Sequence, residues 1–111
     1  MKVVYIAGPY TGFSNLQTKQ HIQRAENLAM QVWQLADCCA ICPHLNTAFW
    51  DGLISWEDFL QGDLAIIERC DALLLVDGWR KSKGTRKEVD HAERHGIPVF
   101  HNIKSLEKWL S

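Results

Sequence analysis

A chain of 111 residues, 47% apolar and 23% charged, has the size and composition of one globular domain spanning residues 1–111, able to bury a core without metal or disulfide staples. Its net charge of -1 gives no global attraction for a nucleic-acid polymer, and no apolar run of 18 residues is present to span a membrane. The apolar stretch near the amino end is too short for the core of an export signal, so the expectation is a cytoplasmic protein whose four cysteines are free thiols.

Residues 2–7 are a continuous apolar run rich in Val, Ile and Tyr, stopped by Gly8-Pro9, which predicts a strand buried on both faces. Ser14 or Asn15 can cap a helix reaching about residue 37, because Ile22, Ala25, Ala29, Val32 and Ala36 step by three and four. A second strand is expected at 39–42, stopped by Pro43, followed by a loop over 44–54 that carries Phe49 and Trp50. Ser55-Trp56-Glu57-Asp58 has the Ser-x-x-acid form of a helix cap, and that helix runs to about residue 70. A third apolar strand covers 71–77, and a loop covers 78–84. A helix follows over about 85–95, closed by Gly96 in the usual position after a helix end. Residues 98–101 give a fourth strand, and Ser105 caps a last helix over 106–110. Apolar strands alternating with helices predict an α/β fold around a parallel sheet. In such sheets ligands bind outside the carboxyl ends of the strands, here residues 8–12, 43–46, 77–84 and 101–102.

Asp63 interrupts an apolar stripe formed by Trp56, Phe59, Leu60, Leu64, Ile67 and Cys70, three residues after Leu60 and four before Ile67. A carboxylate there either faces a cavity or sits at a wet edge of a slightly rotated helix; buried without partners it would cost several kcal/mol. Glu88 lies early in the helix that leaves the third strand. It either points into the crevice or is an ordinary acid favoured by the helix dipole. Asp77 ends the third strand, as a crevice carboxylate or as the first residue of an Asp-Gly turn. Taken together, these carboxylates around one crevice suit reactions at a sugar anomeric carbon, where one acts as nucleophile and another handles a proton.

The glycines of Gly8-Pro9-Tyr10-Thr11-Gly12 allow backbone amides to approach an anion. Arg80, Lys81, Lys83, Arg86 and Lys87, with Ser82 and Thr85, form a basic patch that either holds a phosphate or is a solvated surface. His44, following Pro43 at the ligand edge, either touches a substrate or is a surface-loop histidine. Cys39-Ala40-Ile41-Cys42 matches CxxC, but strand residues three apart point to opposite faces and no second Cys/His pair is read at ligand spacing, so no metal site is expected. Five tryptophans are many for this length, which points some of them to a subunit interface.

Val4-Tyr5-Ile6-Ala7-Gly8-Pro9-Tyr10, Asp63 in its helix, Cys70-Asp71-Ala72-Leu73-Leu74-Leu75 and Ser82-x-Gly84-x-x-x-Glu88 occur in one order and spacing over nearly the whole chain. That set resembles the nucleoside 2-deoxyribosyltransferase superfamily, nearest a branch of short bacterial and phage proteins and related to the deoxynucleoside 5′-monophosphate N-glycosidases. The resemblance implies a flavodoxin-like three-layer fold with a four- to five-stranded parallel sheet. It also implies cleavage of the base–sugar bond of a (deoxy)nucleoside or its 5′-monophosphate, with hydrolysis if water accepts the sugar and transfer if a second base does. Glu88 falls on the family's nucleophile, Tyr5 on the tyrosine that orients it, and Asp63 and Asp77 on acidic positions that handle the base. Gly8, Pro9, Tyr10, His44, Ser82, Gly84 and Arg86 are the expected substrate contacts, Ser82 and Gly84 in the loop that meets a 5′-phosphate. No cofactor is implied, and a homodimer or larger homo-oligomer is. Pro9 and Thr11 stand where the monophosphate hydrolases carry serine and arginine, and Arg86 stands where a glycine is common. A non-catalytic nucleotide-binding module of the same fold is the alternative.

Overall fold

The computed structural model describes residues 1–10, 14–48, 50 and 52–111. The first apolar run forms strand β1 (Lys2–Ala7), whose last four residues are fully buried. Helix α1 (Asn15–Trp33) follows, capped by the Ser14 hydroxyl, which accepts from the Gln17 amide. It ends about a turn earlier than its apolar periodicity suggests, because Gln34 closes it and Asp37 takes a left-handed φ of 56° to turn the chain into strand β2 (Cys38–Ile41). Pro43 opens the short helix α2 (Pro43–Asn46) where a loop was expected; proline's fixed φ suits a first helical position. Ser55 caps α3 (Trp56–Ile67) as its Ser-x-x-acid pattern predicts, and strand β3 (Ala72–Leu75) follows. Helix α4 (Lys83–Arg94) starts earlier than expected because Ser82 is its cap, accepting from the Thr85 amide. Strand β4 (Val99–Phe100) and helix α5 (Ile103–Leu110) complete the chain, with Asn102 rather than Ser105 capping α5.

The four strands are all parallel, in the order β2-β1-β3-β4, so the fold is the α/β, flavodoxin-like arrangement expected. The chain moves from β1 outward to β2, then crosses back over β1 to β3 and on to β4. Right-handed crossovers in opposite directions along a sheet put their helices on opposite faces. The core divides accordingly. Val4, Ile6, Leu74 and Val76 pack against α1 and α5, while Tyr5, Ala7, Leu73 and Leu75 pack against α3 and α4. No helix among the described residues is long and apolar enough to cross a membrane.

The reversal of strand order between β1 and β3 leaves a crevice at their carboxyl ends. Gly8 lies there because β1 and β3 approach closely: Ala7 O accepts from Val76 N at 2.8 Å, and a Cβ on residue 8 would sit 2.6 Å from Val76 Cβ. At the opposite edge Asp71 clips the same two strands, its carboxylate accepting from Val3 N and its amide donating to Val3 O, both at 2.8 Å. Gly8→Ala therefore overpacks the junction, with an expected loss of about 1–3 kcal/mol in urea unfolding. An unchanged midpoint would show that the junction can expand.

Candidate active site

The crevice is a cavity of about 1080 Å³, at the upper end of the range for small-molecule sites. Its floor comes from β1 and the segment after it (Tyr5, Ile6, Gly8, Pro9 and Tyr10), and one wall from the first two turns of α3 and Asp63 just beyond them. There Trp56, Phe59, Leu60 and Asp63 follow one another at helical spacing. The facing wall is the start of α4, with Ser82, Gly84, Thr85 and Glu88. Trp56 closes the angle between these walls: its ring lies 3.8 Å from where a Cβ on Gly84 would be, and the Lys83 ammonium sits 5.6 Å from its centre.

Glu88 is 7% exposed and Tyr5 is 0% exposed, and the Tyr5 hydroxyl donates a short hydrogen bond to Glu88 Oε2. Burial pushes the Glu88 carboxyl up to about 8; the Asp63 charge adds to the rise and the Tyr5 hydrogen bond opposes it. Burial also lifts half-buried Asp63 to about 6. Burial, with the negative field of Glu88 and Asp63, holds the Tyr5 phenol well above its ordinary value, so it stays a donor. Across the interval between about 6 and about 8 the carboxyl pair holds one proton and one negative charge between them. One group able to attack and one able to give a proton is what cleavage beside a sugar ring oxygen requires.

His44 is not on a loop surface but 6% exposed in α2. Its Nε2 lies 2.8 Å from the Pro9 carbonyl, which only accepts, so the proton is assigned to Nε2. Burial lowers its pKa, against the pull of the Pro9 and Gly8 carbonyls. The neutral ring lines the cavity and ties the end of β2 to the turn after β1.

Of the candidate residues, Tyr5, Gly8, Pro9, Tyr10, His44, Asp63, Ser82, Gly84 and Glu88 come together around this cavity. Two do not. Asp77, which the resemblance implies is an acid that handles the base, is exposed and is not among the cavity-lining residues; it begins the turn whose Gly78 takes a φ of 86°, the Asp-Gly alternative. Arg86 is also exposed and turns back to donate to the Arg80 carbonyl at 2.6 Å, one helical turn away from Ser82 and outside the lining. Thr11, Gly12 and Phe49 lie outside the described residues. Gln17, His21 and Arg24, none of them among the expected contacts, also line the cavity from α1. Their i, i+4, i+7 spacing beside the buried Ala25 was the available signal. The CxxC cysteines are free thiols, and burial raises Cys42 to about 11.

The family model described as "Domain of unknown function (DUF4406)" matches residues 2–101. No curated protein matches the chain. Among solved structures, a 2-deoxyribosyltransferase from the psychrotolerant bacterium Bacillus psychrosaccharolyticus superposes with a TM-score of 0.61 at 20% sequence identity, over 87% of this chain and 69% of that one. At that identity the likeness concerns the fold.

The buried carboxyls make stability depend on pH in a fixed direction. In the folded protein Glu88 keeps its proton up to about pH 8, whereas in the unfolded chain it releases it near 4.5; Asp63 does the same between 3.8 and about 6. Stability is therefore full in acid and is lost as pH rises through these values. Urea unfolding at about pH 5 and about pH 8.5 should show the wild type losing several kcal/mol over that range. Glu88→Gln should flatten the loss and exceed the wild type in stability at the higher pH. A parallel decline in both proteins would refute the assignment.

Proposed function

The chain belongs to the DUF4406 family, and from the chemistry of its cleft we propose that it is an N-glycosidase or deoxyribosyltransferase acting on a (deoxy)nucleoside or its 5′-monophosphate. The observation that carries this reading is the pair of acids, buried Glu88 held by the Tyr5 hydroxyl and half-buried Asp63, in one cavity with ample room for a nucleotide at the carboxyl ends of β1 and β3. The fold shared with a 2-deoxyribosyltransferase supports it.

In this mechanism a Glu88 carboxylate oxygen attacks the anomeric carbon as the carbon–nitrogen bond to the base breaks. Glu88 has the higher pKa, so the reactive form is the minor one in which the pair's single proton sits on Asp63, and the departing base takes that proton. Tyr5, donating to Oε2, fixes the carboxylate and leaves its other oxygen to form the glycosyl ester. Water, giving a proton back to Asp63, then releases free sugar, or a second base displaces Glu88 and completes transfer. The aromatic wall of Trp56 and Phe59 suits the face of a base, and His44 and Tyr10 contact the substrate from the β1–β2 side. Lys81, Ser82 and Lys83, at the start of α4, are the place for a 5′-phosphate. We place the protein in the cytoplasm as a homo-oligomer, in which a neighbour covers the exposed Trp50, Leu53, Ile54 and Trp56 near the cavity.

A chromatographic screen of nucleosides and 5′-monophosphates for released base tests the proposal. At least one substrate should yield base, Glu88→Ala should abolish the reaction, and Asp63→Asn should slow it by about 10²–10⁴. The rate should be bell-shaped in pH with limbs near about 6 and about 8. Absence of base from every substrate at high enzyme concentration, or full activity in Glu88→Ala, would overturn it.

A further inference from the structure

The same two helices that carry the cleft acids converge on a second polar cluster at their carboxyl ends. Glu68 caps the end of α3, His95 caps the end of α4, and His91 lies one turn earlier on α4. None of these residues lines the cavity. One ligand-capable atom from each of the three falls within 4.8 Å of the others. His91 Nε2 is 3.0 Å from Glu68 Oε2, and His95 Nε2 is 3.9 Å from Glu68 Oε1. The two imidazoles, at i and i+4, have ring centres 4.2 Å apart.

From this arrangement we infer that Glu68, His91 and His95 form a binding site for a divalent transition ion of the zinc type, with a water completing the shell. Zinc bound by nitrogen and oxygen at about 2.0–2.1 Å in a tetrahedron separates its ligand atoms by about 3.3–3.4 Å. The 3.0 Å and 3.9 Å separations straddle that value, and the side chains are open enough to close the remaining difference by small rotations. Two imidazoles and one carboxylate are a donor set that zinc accepts with an open fourth position.

The histidine orientation supplies an independent reason. His95 Nδ1 lies 2.9 Å from the His91 carbonyl, which only accepts, so Nδ1 carries the proton and Nε2 turns a lone pair toward Glu68. An outer hydrogen bond of this kind is how proteins fix the tautomer of a metal-binding histidine. At 3.9 Å the pair His95–Glu68 is too long for a hydrogen bond, leaving a gap between two lone-pair-bearing atoms. His91 Nε2 donates to Glu68 Oε2 at 3.0 Å, a proton it gives up when an ion takes that place. Both helix carboxyl ends also direct negative partial charge toward the site. The neighbouring guanidiniums are turned elsewhere: Arg69 donates to the Ala65 carbonyl at 2.8 Å, and Arg94 pairs with Asp90 at 3.0 Å. The pairing is invisible in a search for cysteine motifs, yet His91 and His95 do stand at ligand spacing, which corrects the expectation that no such pair exists outside residues 38–44.

A bound ion would clip the carboxyl ends of α3 and α4 together. The site is independent of the glycosidase reading. It is tested on untagged protein by calorimetric titration with zinc chloride and by the absorption spectrum with cobalt chloride. The expected result is one zinc per chain with a micromolar dissociation constant, weakened about tenfold or more by His95→Ala and by Glu68→Gln. Cobalt should show visible d–d bands without a thiolate charge-transfer band. No saturable zinc binding, equal binding in both variants, or a thiolate band assigning the metal to the cysteines would each overturn it.

Discussion

A carboxyl group taken out of water needs a donor, and the Tyr5 hydroxyl supplies one to Glu88. The phenol comes from the middle of β1 and the carboxyl from the second turn of α4, so this hydrogen bond joins the central strand to the helix that forms one wall of the cleft. Tyr5 is itself fully buried, between Ile67 of α3 and Val89 of α4, and cannot leave the bond without exposing its ring or opening a hole in the core. The same burial that raises the Glu88 pKa fixes its position. Electrostatic strain and geometric order at this site thus have one source, which is the usual relation between a functional group and the stability it costs.

The sheet topology explains why both acids reach one place. Because strand order reverses between β1 and β3, α3 and α4 lie side by side on one face of the sheet, both starting from the ligand edge. One face of each helix brings Asp63 and Glu88 to the cavity, while the adjoining face carries Leu64, Ile67, Val89 and Ala92 into the core. The apolar stripe of α3 therefore serves two surfaces. Trp56, Phe59 and Leu60 face the cavity, and the remainder faces the sheet.

That division accounts for what could be read from the sequence. The strands were legible because each is a short apolar run bounded by glycine, proline or a polar turn, and the parallel sheet follows from their alternation with helices. Asp63 was legible because a charge inside an apolar stripe has few stable explanations. Glu88 was not distinguishable by position from a dipole-stabilised surface acid; its burial depends on Tyr5, 83 residues away in sequence. Asp77 looked equivalent to Glu88 at the strand end, and only the turn through Gly78 separates them. The helix starts shifted because Ser82 and Asn102 compete with neighbouring residues for the cap role, and tertiary fit decides among local candidates. The α1 contribution stayed hidden because polar residues flanking a buried stripe ordinarily face water.

Strand β4 supplies one outer border of the sheet, yet it is only two residues long before the chain bends into α5. An incoming segment from another molecule would find two residues to ladder with there, far below what a stable intermolecular ribbon needs. The border is thus blunted against uncontrolled sheet extension by its shortness, and Pro98 just before it removes one more amide from the rim. Any protein contact on that side would fall to helix surfaces, where the fit of side chains rather than an open backbone sets specificity.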